Sequence, residues 1–136
     1  MAMSSNEFRA ELVKIMPGYS WTVHKPLKSR MPAHLQEAYP QVLIATGTQS
    51  KGSNRLSTLE VERRDHDGSR VTYKARSSGY GRRAEWLHMH SDGTLARALR
   101  GLQDHYEREA ANYASHANYL KRARAAQAAA KGEHAA

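Results

Sequence analysis

Apolar residues recur along this chain in two rhythms, and the change of rhythm divides it. Near the end they fall at Leu95, Leu99, Leu102, Tyr106, Ala110, Tyr113, Ala117 and Leu120. These steps of three and four trace one face of an α-helix. Ser91-Asp92-Gly93-Thr94 supplies N-cap residues before the run, and no proline follows as far as Ala130. A helix over about 92–130 would be roughly 55 Å long at about 1.5 Å per residue. A domain of this size has a radius of gyration of roughly 14 Å, so the helix is expected to overhang it.

The middle of the chain alternates instead. Gln41 to Thr48, Arg55 to Arg64 and Ser69 to Ser77 read as three antiparallel strands of a meander. Lys51-Gly52-Ser53-Asn54 is the first turn and His66-Asp67-Gly68 the second. Closing Asp65 on Ser69 sets Arg63 opposite Val71, Val61 opposite Tyr73 and Leu59 opposite Ala75, with Glu60 against Lys74 on the other face. Closing Lys51 on Asn54 matches Ile44 with Val61 and Thr46 with Leu59. Both turns yield one apolar and one polar face.

Ser4 and Glu7 form a capping box before Phe8, Leu12 and Ile15, so a short helix is expected, ending at Met16-Pro17-Gly18. Tyr19 to Val23 reads as a further strand. Residues 25–40 hold Pro26, Pro32 and Pro40 and predict an irregular excursion with one helical turn over Ala33 to Ala38. Trp86 is expected to close the core, and the glycines of 79–81 to mark a mobile loop. Gly101 costs its helix up to about 1 kcal/mol against alanine, which a close approach to the sheet would explain. The predicted fold is α+β: a short N-terminal helix, an antiparallel meander of three to four strands, and one long C-terminal helix on its apolar face. Residues 1–130 are expected to form a single domain, and 131–136 a disordered tail.

Charge narrows the partners. The net charge is +8, from 21 Lys and Arg against 13 Asp and Glu, which favours DNA, RNA or an acidic protein surface. There is no cysteine, which excludes disulfides, thiolate metal sites and cysteine nucleophiles. That composition, with no long apolar run and no signal-peptide pattern, predicts a cytoplasmic protein with no membrane partner.

Arg70, Lys74 and Arg76 lie on the polar face of the third meander strand, which runs into Gly79-Tyr80-Gly81-Arg82-Arg83. Arginines there can pair bidentately with phosphate, and Tyr80 can stack on a base. Lys121, Arg122 and Arg124 form a second basic cluster, which also suits a helix C-terminus. Tyr113, Ala117 and Leu120 offer a seam for a homodimer, although a strict heptad from Leu99 would include Glu109 and His116. His88 and His90 lack carboxylate or thiolate partners at ligand spacing, so no metal is expected. Hydrolase, nucleotide-binding and metalloprotease motifs are missing, so neither a cofactor nor enzymatic activity is expected.

The order helix, strand, meander, helix resembles the double-stranded-RNA-binding domain. That family carries lysines at the start of its second helix, where this chain has Ser91-Asp92-Gly93-Thr94, so no residue role follows. Small, basic, cysteine-free α+β chains also resemble phage and mobile-element accessory proteins, some of which inhibit host defence complexes as anti-CRISPR proteins do. The expectation is a non-enzymatic binding module for nucleic acid, with an inhibitor or adaptor that docks on a host protein complex as the alternative.

Overall fold

Ser4 caps the first helix, α1 (Ser5–Ile15), by the reciprocal bonds its spacing predicts: its hydroxyl accepts from the Glu7 amide at 3.2 Å, and Glu7 accepts from the Ser4 amide at 3.3 Å. The structure, a computed structural model, describes residues 3–26, 31–36, 41–66 and 70–135. After α1 come β1 (Ser20–Val23), a single turn α2 (Ala33–Gln36), β2 (Gln41–Lys51), β3 (Asn54–Asp65), β4 (Val71–Ser78), β5 (His88–Asp92) and α3 (Leu95–Ala135). Parts of the proline-rich excursion, 27–30 and 37–40, and the Asp67-Gly68 turn lie outside the described residues.

The fold is α+β. Five strands form one antiparallel sheet in the order β1-β2-β3-β4-β5, one strand more than the sequence suggested. The extra strand, β5, pairs His90 with Ala75 and His88 with Ser77. One face is the core. Leu43, Ala45, Leu59, Val61, Tyr73 and Ala75 are buried there, with Phe8 and Leu12 of α1 and Leu95, Ala98, Leu99 and Leu102 of α3. Thr94 caps α3 by accepting from the Arg97 amide at 3.2 Å.

Both meander registers differ from those read in the sequence. Lys51 does close on Asn54, with Gly52 at φ +61° at the first loop position. Beyond the turn, however, Ser50 pairs with Arg55 and Gln49 with Ser57, so Leu56 bulges without a partner. The bulge moves every later pair by one. Ala45, not Ile44, stands opposite Val61, and Gly47, not Thr46, opposite Leu59. A one-residue slip exchanges faces, so Leu43 and Ala45 enter the core while Ile44 and Thr46 turn to the other side.

The second hairpin closes on Asp65 and Val71, with His66 donating its amide to the Arg70 carbonyl at 2.9 Å. Pairs therefore shift by two and keep their faces: Arg63 with Tyr73, Val61 with Ala75, Leu59 with Ser77. The shift replaces one expected cross-strand charge pair by two, Lys74–Glu62 at 3.6 Å and Arg76–Glu60 at 3.0 Å. It also sets Arg63, 9% exposed, to donate its Nε to the Tyr73 hydroxyl at 3.0 Å and its other nitrogen to Asp65 at 2.7 Å. The Tyr73 hydroxyl donates onward to Glu11 at 3.3 Å, tying α1 to the sheet.

Two glycines record close approaches. The Trp21 ring covers Gly47 at 2.7 Å from where a Cβ would stand, and its Nε1 donates to the Met16 carbonyl at 3.0 Å. A Cβ on Gly101 would collide with the His90 ring, as the close approach inferred from sequence requires. Trp86 departs from expectation: it is 41% exposed and outside the core. The chain divides into two compact units, Met1–Leu102 and Gln103–Ala136. α3 continues past residue 130 to Ala135.

Candidate nucleic-acid interface

On the face of the sheet opposite the core, β3 supplies acids and β4 supplies bases. Glu62 accepts a hydrogen bond from Arg64 at 3.1 Å and forms an ion pair with Lys74 at 3.6 Å, and Glu60 accepts from Arg76. Lys74 is thus matched to Glu62 rather than Glu60. The Arg76 guanidinium also lies 4.1 Å over the Trp86 ring, so it is held by both a carboxylate and an indole. These two cations are already partnered, and an incoming phosphate would have to compete with carboxylates.

The remaining predicted cations are split by the strand itself. Arg70 is exposed just before β4, whereas Tyr80, Arg82 and Arg83 follow its far end. Seven steps of β4 separate these ends by roughly 23 Å at about 3.3 Å per residue. Arg70 therefore does not share one compact site with Arg82 and Arg83.

The loop end is built more tightly than its glycines imply. Gly81 adopts φ +106° and donates its amide to the Arg55 carbonyl at 2.8 Å, so the loop is tied to the start of β3. Tyr80 is 68% exposed, and Arg82 and Arg83 are exposed. Among the described residues neither arginine forms an ion pair. The anchor brings two further cations to the loop. Arg55 lies under the loop, its Nε buried without a hydrogen-bond partner among the described residues, and exposed Lys51 closes the adjoining turn. The signal was present in the meander: pairing Ser78 with Thr58 carries the next residues past Arg55.

The other predicted groups lie elsewhere. Lys121, Arg122 and Arg124 are exposed on α3, with Arg122 5.6 Å from the Tyr119 ring centre. Tyr113, Ala117 and Leu120 are exposed along the same helix. His90 packs on Gly101, and among the described residues no three His, Asp or Glu side chains gather to hold a metal ion. Among the described residues no helix is long and apolar enough to cross a membrane.

Two shifted titrations belong to the core network, away from this loop. Burial raises the Tyr73 hydroxyl above its ordinary value and nearby Glu11 adds to the rise, against the opposing hydrogen bond from Arg63. For Arg63 burial acts downward, but the hydrogen bond and charge of Tyr73 and the charge of Asp65 leave it raised. No family model, curated protein or solved structure matches this chain.

Proposed function

We propose that this protein is a non-enzymatic nucleic-acid-binding module whose contact surface centres on Tyr80, Arg82 and Arg83, with Lys51 and Arg55 beside them. The observation that carries this reading is the contrast between cations. Lys74 and Arg76 are matched by Glu62 and Glu60, whereas Arg82 and Arg83 are exposed with no ion pair among the described residues. A backbone approach at Gly81, two arginines and an exposed ring suit phosphate pairing combined with stacking.

Binding of DNA and RNA fragments across a salt series tests it. Replacing Arg82 and Arg83 with alanine should weaken binding to all sequences alike and flatten the slope of log affinity against log salt by roughly 2. Tyr80→Ala should cost about 1–3 kcal/mol on single strands and less on duplexes. Absence of affinity at about 50 mM salt, or an unchanged slope in the double variant, would exclude this reading.

A second reading, an inhibitor or adaptor docking on a host protein complex, is favoured by a different observation. Trp86, Leu87 and Met89 are 41%, 64% and 52% exposed at and before the edge strand β5, more apolar surface than a solvated strand needs. A protein partner retained after nuclease treatment and lost in Leu87→Asp would favour docking over nucleic-acid binding.

A further inference from the structure

Past Leu102, α3 carries a heptad that keeps the position of Leu99 but takes its second core position one residue later than the strict heptad begun there. Tyr106, Tyr113 and Leu120 occupy one core position, and Ala110, Ala117 and Arg124 the other, four residues later. Glu109 and His116 then fall outside the seam. All of these from Ala110 to Arg124 are exposed, Tyr113 by 71% and Leu120 by 55%.

The seam is self-complementary in one direction only. Parallel copies would stack Tyr113 on Tyr113, Ala117 on Ala117 and Arg124 on Arg124, alternating wide and narrow layers and opposing like charges. Antiparallel copies instead set Tyr113 against Ala117, Leu120 against Ala110 and Arg124 against Tyr106, a large residue facing a small one in each of the central layers. Charge agrees with shape. Glu107 and Lys121 flank the seam on the same side, and antiparallel pairing brings each against the other in the second copy. Glu107 accepts from neutral Gln103 at 2.9 Å, and among the described residues neither Glu107 nor Lys121 forms an ion pair.

We infer that the segment from about Tyr106 to Arg124 is an antiparallel homodimerisation helix whose partner is a second copy of this chain. Sedimentation of the full chain at micromolar concentration should show a dimer, and Leu120→Asp a monomer of unchanged helicity by circular dichroism. Glu107→Lys and Lys121→Glu should each weaken dimerisation roughly fivefold, because two symmetry-related pairs turn repulsive. The double variant should return to within about twofold of wild type. Orientation is read by disulfide formation, since the chain has no cysteine of its own. Mixed Ala110→Cys and Leu120→Cys proteins should cross-link unlike with unlike. A monomeric wild type at the highest soluble concentration, like-with-like cross-links, or a double variant that fails to recover would each overturn the inference.

Discussion

Two stretches of the same helix behave differently. In its first two turns Leu95, Ala98, Leu99 and Leu102 are at most 6% exposed, whereas from Ala110 to Gly132 every residue is exposed. The apolar spacing is the same in both, so spacing alone does not tell a core stripe from an exposed one. Residue size does. The buried turns use leucine, while the exposed stretch uses alanine with tyrosine and keeps its helix largely by alanine's intrinsic propensity.

Truncating one leucine in each stretch should separate the two most clearly. Leu102→Ala, at 3% exposure, should destabilise the fold by about 2–5 kcal/mol in urea unfolding. Leu120→Ala should change the stability of the isolated fold by no more than about 0.5 kcal/mol, read at a concentration where the chain is monomeric. Equal losses would mean that the two stretches are not distinct.

The helix's two glycines give a smaller, signed test. At Gly101 a methyl must displace the His90 ring, a cost of about 1–3 kcal/mol that exceeds the helix-propensity gain of up to about 1 kcal/mol. Thermal unfolding of Gly101→Ala should therefore show a net loss, largely recovered when His90→Ala is added. Nothing stands near Gly132, so alanine there should raise helicity instead.

The smallest effect should come from Tyr73. Its folded titration lies above that of an unfolded tyrosine, so the native chain retains the proton longer. Its contribution to stability is present in full below the unfolded value and lost as pH rises through the folded one, a window starting at about pH 10. Tyr73→Phe should flatten that alkaline loss in denaturant midpoints measured from neutral pH upward. An identical profile would show that the hydroxyl's link to Glu11 and Arg63 contributes nothing to this dependence.

The candidate site was half legible. Tyr80, Arg82 and Arg83 stand out as a glycine-flanked basic run, and they are exposed as such a run suggests. That Lys74 and Arg76 are matched to acids, and that Arg55 lies beneath the loop, depends on strand pairing, which a two-residue error in loop length is enough to shift.

What the sequence determined by itself is whatever rests on neighbours a few residues apart. The Ser4–Glu7 box, the Lys51–Asn54 turn with Gly52 and the rhythm of α3 are of this kind. Only the tertiary structure decided the bulge at Leu56, the closure of the second hairpin at Val71, the addition of β5 and the placement of Trp86 under Arg76 rather than in the core. The reason is physical. Caps and turns are settled by local backbone geometry, whereas register is chosen by the sum of cross-strand pairs. Here two charge pairs and a buried Arg63–Tyr73 bond outweighed the shorter loop.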